Sequence, residues 1–406
     1  MRIGVENFIG ERLTEAREAK GILTMTSLAE LLEKSKNLIS LYESNKSKPS
    51  PQMVALMADK LGVKESFFLL PLPQRATNPI FSRSRHMSTK HTRIVIERKF
   101  GWAKWLIDVY LKSFMDMPEL NIPTRKDLGV PKDPRELTPV KIEEIAQRSR
   151  DFWGLGIFPI DNITTLLESN GILMTCGFVD SDKIDAFSNI SEYDGSLHMF
   201  LGLDKGSAMR SRFDASHELA HLLLHSHLQD AQITDKLHRL LEEQANRFAS
   251  AFLLPAASFK NDVWMTTIEA FKILKKDWKA SVGAIIKRCD DLGLLGEDET
   301  KVRSLWIKYR KQWKEIEEDD LDFEQPQLMK RCIDVLLESK IKTKSQILYE
   351  LPFPRTMVES LLNLPDGYLT EDYGELRQFP TMKKDTSTPQ FSGGQVLPFT
   401  ERNKAS

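Results

Sequence analysis

Apolar side chains recur at helical spacing along most of this chain, and strand-like runs interrupt them only in the middle. The first part contains short amphipathic segments separated by glycine, asparagine and proline. Thr24 and Ser35 are plausible N-caps of the second and third segments, and Asn45 can adopt a left-handed cap after the third. We therefore predict a five-helix bundle over residues 1–74, with helices at Gly10–Ala19, after Thr24, at Lys36–Glu43, at Gln52–Leu61 and around Phe67-Phe68.

A basic stretch follows the bundle and leads into a hydrophobic helix predicted at residues 100–111. The basic side chains either add phosphate contacts or form the solvated face of a helix, and we favour the solvated face. Several prolines then mark an extended boundary, so residues 75–136 are assigned as a basic linker and helix. The basic residues are Arg83, Arg85, Lys90, Arg93, Arg98 and Lys99.

A new domain is predicted over residues 137–265, because two helical segments precede three strand-like runs. Asp161 is the expected cap of the second helix, and Gly171 is expected to end it. The strands should form a small antiparallel sheet and make an α+β unit. The middle run is a candidate edge for binding an extended peptide. The three runs are Ile172–Met174, Ile184–Ser188 and Leu197–Gly202.

Further amphipathic helices are expected over residues 266–372, followed by a tail at 373–406 that is rich in polar residues and is expected to be disordered. One of these helices carries Trp306, Tyr309 and Trp313 on one face. This stripe is either core or a base-stacking platform, and we favour core. The whole pattern predicts a multidomain, mainly α protein with an α+β core.

Composition narrows the class of protein without identifying it. The 406 residues are 41% hydrophobic and 28% charged, which is typical of a globular chain of two to four domains. No apolar run is long enough for a membrane span, the N-terminus lacks a signal pattern, and the three cysteines are widely spaced. We therefore expect a cytoplasmic protein with no membrane partner. The net charge of −1 neither indicates nor excludes nucleic acid.

The candidate chemistry lies in the motif His217-Glu218-Leu219-Ala220-His221. Two histidines four residues apart share one face of a helix and can bind the same metal ion, while Glu218 can act as a general base. The alternative is a chance match on a buried helix whose histidines only pack. The surrounding helix is strongly apolar, so buried polar residues within it need a partner, and a zinc ion is one.

Two histidines leave a zinc ion short of ligands, because catalytic sites usually supply three protein ligands. Glu242 of the next predicted helix can be the third, and Glu243, about 100° round that helix, is the second choice. Asn246 shares the face of Glu242 and could hydrogen-bond a ligand histidine. His225 continues the motif's face but lies about 12 Å along the axis from the first histidine, which is too far to share its metal.

The N-terminal segment resembles the Cro/repressor-type (XRE family) helix-turn-helix domain in Leu28-Ala29, in the run from Ile39 to Lys46 and in Pro49-Ser50. The resemblance implies that the third helix enters the major groove of DNA. Met25 and Glu33 depart from the family pattern, which usually has glutamine and often glycine there. The alternative is a bundle that binds a protein partner. By position, Lys36, Asn37, Ser40 and Leu41 would face bases, and Lys46 and Lys48 would contact phosphates.

The central segment resembles the ImmA/IrrE family of metallopeptidases, in the runs Phe213–His225 and Glu242–Pro255. Three further runs extend the resemblance from about residue 140 to 300: Trp153–Gly156, Ile184–Ser188 and Leu274–Ser281.

The resemblance implies a zincin-like fold with His217, His221 and Glu242 as zinc ligands and Glu218 as general base. Members of the family cleave a transcriptional repressor, which frees genes for a DNA-damage response or mobile-element transfer. The expected partners are operator-like DNA and a protein substrate, either a repressor or a toxin or antitoxin. A homodimer is compatible with this interpretation.

Two functions follow from these predictions. The first is a regulator with a zinc-dependent endopeptidase domain whose activity could be latent. The second is a DNA-binding regulator or antitoxin whose metal-binding domain senses or scaffolds without cleaving. The intact set of motif residues favours the first, because loss of the general base would mark the second.

Overall fold

Helices make up most of the described structure, and one small sheet lies in the middle of the chain. The structure is a computed structural model that describes residues 4–73, 81–82, 90–177, 186–203, 207–228, 233–296, 299–317 and 321–371. The prediction of a mainly α fold with an α+β core is confirmed. The tail predicted at 373–406 lies outside the described residues. None of the described helices is long and apolar enough to cross a membrane.

Four α-helices and a 3-10 turn form the N-terminal bundle, close to the predicted bounds. The caps at Thr24 and Ser35 are confirmed, since each side-chain oxygen accepts the backbone N–H three residues later. Glu33 and Asn45 adopt left-handed conformations with φ of 53° and 58°. Asparagine tolerates this region, whereas glutamate is strained there. The elements are α1 (Gly10–Ala19), α2 (Met25–Leu31), α3 (Lys36–Glu43), α4 (Pro51–Leu61) and the turn Glu65–Leu69.

A long helix ties this bundle to the sheet. Helix α5 (Lys90–Trp105) continues into a π-helical turn (Leu106–Tyr110), so the helix predicted at 100–111 covers only its second half. Trp102 is buried, and its Nε1 donates a hydrogen bond to Glu15 of α1 at 2.7 Å. Helix α5 is therefore part of the predicted linker region and also packs against the N-terminal bundle.

The basic side chains that the structure describes lie on the surface of α5. Arg93 pairs with Glu97 at 3.7 Å, and Arg98 pairs with Glu18 of α1 at 2.7 Å. These contacts favour the solvated-face interpretation for this part of the stretch. Arg83 and Arg85, which the same prediction included, lie outside the described residues.

The sheet has four strands in the order β1-β3-β4-β2. β3 pairs antiparallel with β1 and with β4, but β2 pairs parallel with β4. The prediction of an antiparallel sheet is therefore wrong for one pair. Strand β4 has buried residues on both faces and lies between β3 and β2. It pairs antiparallel with β3 and parallel with β2, so the sheet is mixed. The strands are β1 (Phe81–Ser82), β2 (Leu173–Gly177), β3 (Ala186–Ile190) and β4 (Leu197–Gly202).

Three helices precede or flank the sheet: α6 (Arg125–Leu128), α7 (Pro139–Phe152) and α8 (Ile163–Ser169). The prediction that Asp161 caps α8 is wrong. Asn162 is the cap, and its Oδ1 accepts the Thr165 N–H at 2.7 Å. The two neighbours carry similar acceptors, and only the backbone conformation decides which one reaches the helix N–H groups.

Two long helices carry the candidate metal ligands. Helix α9 (Ala208–Ala220) lies under β3 and β4 and continues into a π-helical turn (His221–His225). Helix α10 (Asp235–Leu253) packs against α9 and α7. The prediction of a buried motif helix is confirmed, since every described side chain from Asp214 to His225 is buried.

The remaining helices divide between two hydrophobic cores. The first four pack on the core around α9 and α10, whereas the last three join the core of the N-terminal bundle. Phe67, Trp102 and Phe353 form an aromatic cluster across that junction, with ring centroids 5.1–5.6 Å apart. The helices are α11 (Ala256–Asp262), α12 (Ile268–Trp278), α13 (Val282–Asp291), α14 (Glu299–Glu317), α15 (Leu328–Glu338), α16 (Lys344–Glu350) and α17 (Arg355–Leu361).

Candidate metal centre

His217, His221 and Glu242 converge at one point between α9 and α10. The two histidine Nε2 atoms are 3.0 Å apart, and the Glu242 carboxylate lies 3.5 Å from Nε2 of His217 and 3.2 Å from Nε2 of His221. Two atoms that each bind one zinc ion at roughly 2.0–2.1 Å with tetrahedral angles are about 3.3 Å apart. The three donors therefore fit a zinc ion. The other candidate, Glu243, is exposed on the neighbouring position of α10 and does not join them.

Hydrogen bonds on the far side of each imidazole set its orientation. Nδ1 of His217 lies 3.0 Å from the Asn246 Oδ1, so it donates and leaves Nε2 with its lone pair toward the cluster. The placement of Asn246 against a ligand histidine is as predicted from its spacing. Such partners fix the tautomer and raise the basicity of a ligand histidine.

A longer chain of hydrogen bonds sets the orientation of His221. Gln244 donates through Nε2 to the Pro134 carbonyl at 2.7 Å, so its Oε1 accepts from Nε2 of His225 at 3.1 Å. Nδ1 of His225 is then an acceptor and receives the proton of His221 Nδ1 at 3.0 Å. Burial lowers the pKa of His225 well below its usual value, which keeps it neutral and able to accept.

This chain of contacts, from the Pro134 carbonyl to His221, contains functional residues that sequence reasoning missed. The helical rise places His225 too far along the axis from His217 to share its metal, and the spacing assigns no role to Gln244. The available signal was that His225 stands four residues after His221 on a buried apolar face, where an imidazole needs a partner. Nothing in the sequence connects either residue to Pro134, because that contact is made across the fold.

The ionisation of the two glutamates differs. Burial raises the pKa of Glu218 to about 7, and the charge of His221 and a hydrogen bond from Ser188 offset this only in part. For Glu242, burial also acts to raise the pKa, but its interactions with His217 and His221 outweigh burial and keep the pKa below its usual range. Glu242 is therefore ionised and could act as a metal ligand, whereas Glu218 can exchange a proton near neutral pH.

Strand β3 holds Glu218 in place. The Ser188 hydroxyl donates to Glu218 Oε2 at 2.8 Å, and both residues are fully buried. Ser188 belongs to the run that carried part of the family resemblance, but its contact with the base was not predicted. This hydrogen bond connects β3 directly to the motif helix α9.

The expectation of an open edge at this strand is wrong at Phe187 and Ser188. β1 pairs with them, with Phe81 opposite Ser188 and Ser82 opposite Phe187. Without β1, the backbone N–H and C=O groups on this side of β3 would be unpaired, and the extended linker segment Phe81–Ser82 pairs with them. Ile184 and Asp185, the start of the predicted run, lie outside the described residues.

The side chains predicted to contact DNA lie on and after α3. Lys36, Asn37 and Leu41 are exposed on this helix, and Ser40 between them is half-buried. The two lysines that follow α3 are also exposed, and Lys48 donates to the Phe8 carbonyl at 2.9 Å. The structure thus leaves these side chains on the surface of the bundle. They are Lys36, Asn37, Ser40, Leu41, Lys46 and Lys48.

The fold places two histidines, at the end of α9 and in the turn that follows it, opposite a glutamate of α10, and this donor set could hold a metal ion. Residues 179–290 match the peptidase M78 family model, described as the IrrE N-terminal-like domain, and residues 13–68 match a helix-turn-helix model. The chain therefore contains a helix-turn-helix DNA-binding domain followed by an ImmA/IrrE-like domain, in the predicted order. No curated relative matches the chain.

Proposed function

We propose that this protein is a DNA-binding regulator whose second domain is a zinc-dependent endopeptidase. Its substrate is a transcriptional repressor or another regulator, in a stress response or in the control of a mobile element. The observation that carries the proposal is the complete set of three convergent donors with a buried carboxylate beside them. A purely structural helix pair has no need for a glutamate whose pKa lies near 7.

Each residue has a distinct task in this proposal. His217, His221 and Glu242 would hold the metal, which when bound supplies Lewis acidity to activate water and polarise the scissile carbonyl. Glu218 accepts the proton of the attacking water and passes it to the nitrogen of the leaving amine. The Ser188 hydroxyl keeps the carboxylate of Glu218 oriented during both transfers.

The test compares the full chain with its Glu218→Gln variant. We expect both proteins to bind zinc equally, because the ligands are unchanged, and only the wild type to cleave a co-expressed repressor from a neighbouring gene. Metal analysis and mass spectrometry of the products give the two readouts. The peptidase proposal would be contradicted if neither the wild type nor a Phe81→Pro, Ser82→Pro double variant cleaves any candidate, although both bind zinc and DNA upstream of the gene.

We further propose that the peptidase is latent in this conformation. β1 pairs with Phe187 and Ser188, directly beside the general base, where an extended substrate backbone would add to the sheet. The linker strand therefore competes with substrate for the same backbone groups. Regulation would consist of withdrawing β1 from the edge.

A variant with proline at both Phe81 and Ser82 tests this competition. Adjacent pairs of an antiparallel ladder alternate between hydrogen-bonded and non-hydrogen-bonded, so only one of these two N–H groups points toward β3. Proline removes that donor, so we expect cleavage to rise about 5-fold, the effect of one lost hydrogen bond of roughly 1 kcal/mol. The double alanine variant keeps the backbone donors and should cleave at the wild-type rate. Equal rates for all three proteins would refute latency through β1 and leave the peptidase proposal standing.

The second candidate function is a DNA-binding regulator or antitoxin whose metal domain senses or scaffolds without cleaving. The covered edge of β3 favours it, because a blocked edge is also what a non-catalytic domain would tolerate. The two candidates differ in the cleavage experiment, and zinc binding alone does not separate them.

A further inference from the structure

Helix α14 carries an uninterrupted basic stretch that the site described so far does not use. Between residues 300 and 314 it has six basic side chains and no acidic one, and all six are exposed. The net charge of the whole chain is only −1, so this positive charge is local and attracts an anionic partner. The six are Lys301, Arg303, Lys308, Arg310, Lys311 and Lys314.

Several of these cations have no partner within the fold. Lys308 pairs with Glu269 of α12 at 2.7 Å. By contrast, no carboxylate of the described part of the chain pairs with Arg303, Arg310 or Lys314. A cation without an internal partner loses no ion pair when it binds a phosphate, and each phosphate that it neutralises releases a counterion.

Tryptophan side chains lie beside the unpaired cations. Trp306 follows Arg303 by three residues and precedes Arg310 by four, so the three side chains share one side of α14. The Arg310 guanidinium carbon lies 6.0 Å from the centroid of the Trp306 ring. Trp313 follows Gln312, whose φ of −119° and ψ of 16° interrupt the helix. The cations and the Trp306 ring therefore form one surface.

The expectation that the aromatic stripe of α14 belongs to the core is only partly correct. Trp306 and Tyr309 pack against the core with part of their surface, whereas Trp313 is 52% exposed. A base-stacking platform requires rings that a ligand can reach, and Trp313 meets that requirement.

The inner part of the stripe is held rigidly. The Tyr309 hydroxyl donates to Glu317 Oε1 at 2.9 Å, and the same carboxylate accepts the Gly283 N–H at 3.2 Å. Trp306 packs edge-on against Tyr309, with ring centroids 5.7 Å apart. An aromatic wall fixed in advance binds a flat ligand with little ordering cost.

A cavity of about 1310 Å³ runs along this surface, and Trp306, Arg310 and Trp313 all line it. Its volume exceeds the roughly 300–1,000 Å³ of a pocket for a drug-sized ligand, so more than one flat ring can enter.

The other walls of the cavity, from α10 and α13, carry charges that neutralise one another. Arg247 and Lys287 both pair with Asp291, at 3.2 Å and 2.8 Å. The unpaired positive charge therefore lies on α14, beside the aromatic rings.

This division of charge matches one kind of polymer. A single-stranded nucleic acid has uncharged bases that stack on aromatic rings and phosphates that bind basic side chains. The bases of a duplex are already stacked on one another and cannot enter the cavity, and an acidic peptide offers charge without bases.

We propose that α14 and its cavity bind single-stranded DNA, with bases against Trp306 and Trp313 and phosphates at Arg303 and Arg310. DNA is the nucleic acid expected here because residues 13–68 of the same chain match a helix-turn-helix domain, which raises the local concentration of DNA. The inference does not depend on peptidase activity.

Fluorescence anisotropy of a labelled oligodeoxythymidylate of about 15 nucleotides, titrated with the full chain, tests the aromatic contact. This strand forms no duplex, so it offers α3 no major groove. Trp313→Ala should weaken binding at least about 5-fold, the effect of one lost base stack, whereas Trp313→Phe keeps a stacking face and should retain most of the affinity. Trp264→Ala is the matched control, because Trp264 is 63% exposed and does not line the cavity.

The salt dependence of the same binding tests the phosphate contacts. For a single strand, each phosphate contact contributes about 0.7 to the slope of log affinity against log salt concentration. Arg310→Gln should therefore reduce the slope by about 0.7. Lys308→Gln is the control and should leave the slope unchanged, because Lys308 is paired with Glu269.

Competition separates the single strand from other anions. Unlabelled duplex DNA should displace the labelled strand poorly, because a duplex bound at α3 leaves α14 free, and poly-glutamate should do no better, because it has no bases. Displacement by poly-glutamate at the same anion concentration would overturn the inference. Equal affinities of Trp313→Ala and Trp264→Ala, an unchanged slope in Arg310→Gln, or tighter binding of oligouridylate than of oligodeoxythymidylate would overturn it as well.

Discussion

The predicted recognition helix α3 and the predicted metal-binding helix α9 place polar side chains in opposite surroundings. Lys36 and Asn37 of α3 are exposed to solvent, so neither side chain needs a hydrogen-bond partner from the rest of the fold. His217 and Glu218 of α9 and His221 of the π-helical turn are buried. Asn246 of α10 contacts His217, Ser188 of β3 contacts Glu218, and Gln244 of α10 reaches His221 through His225. A buried polar group without such a partner is costly, which is why the metal helix depends on the whole fold and the recognition helix does not.

The largest effect should come from Glu143 on α7, which supports the metal-binding helix pair. It accepts two hydrogen bonds from the buried Arg288 and one from Arg247 of α10. Removing one member of such a pair leaves an uncompensated charge, so Glu143→Ala should cost about 3–5 kcal/mol of unfolding free energy. The neighbouring exposed Glu144→Ala is the control and should change it by less than about 0.5 kcal/mol. Chemical denaturation measures both.

The same variant has a pH signature. Burial acts to raise the pKa of Glu143, but the hydrogen bonds and charge of Arg288, together with the charge of Arg247, outweigh burial and lower it. A depressed folded pKa means that the stabilisation is present above the unfolded value and disappears as pH falls through the folded value. The difference in unfolding free energy between wild type and Glu143→Ala should therefore shrink on acidification below pH 4.5, which is the ordinary pKa of glutamate. A difference that grows on acidification would contradict the assignment.

Gln244→Leu tests whether the metal helix needs its distant partners. Without Gln244, the hydrogen-bond chain that sets the tautomer of His221 is interrupted at His225. Loss of such a supporting contact typically lowers metal affinity about 10- to 100-fold. Competition with a zinc chelator measures the affinity, and Glu243→Gln on the neighbouring exposed position should leave it unchanged. If Glu243→Gln weakens zinc binding instead, Glu242 is not the third ligand.

Lys36→Ala tests an exposed side chain of α3, the predicted recognition helix. Because Lys36 is exposed, its removal should change the unfolding free energy by less than about 0.5 kcal/mol, yet weaken binding to operator DNA about 10-fold. Binding of DNA upstream of the gene, measured at several salt concentrations, gives the affinity. Lys60→Ala, on the exposed face of α4, is the matched control. Equal affinity for the two variants would remove α3 from the DNA interface.

The smallest effect is expected at the turn before α3. Glu33 has φ of 53°, a conformation that costs a non-glycine residue about 1 kcal/mol. Glu33→Gly should therefore stabilise the protein slightly, by up to about 0.5 kcal/mol after the greater freedom of glycine in the unfolded chain is counted. Glu30→Gly, inside α2, should destabilise by roughly 0.5–1 kcal/mol. Thermal unfolding of the two variants distinguishes the effect of glycine in the turn from its effect inside a helix. A loss of stability in Glu33→Gly would show that the turn is not strained.

Much of the fold and site could be predicted because the signals are local. The helices at Gly10–Ala19 and Lys36–Glu43 follow from apolar spacing, caps and breakers within one window, and the observed bounds agree. The spacing of His217 and His221 similarly places both on one helix face. Failures occurred where two local choices were equally good, as with Asp161 and Asn162, or where pairing joins distant strands, as with β2 and β4.

The sequence by itself determined the two domain types, the motif helix and the shared face of His217 and His221, and it favoured Glu242 over Glu243 as the third donor. Helical periodicity and residue chemistry are properties of neighbours along the chain, so they can be read without a fold. Only the tertiary structure decided that Ser188 holds Glu218, that His225 and Gln244 orient His221, and that β1 covers the edge of β3. Each of these contacts joins residues brought together by packing, and hydrogen bonding in a buried site depends on distance in space.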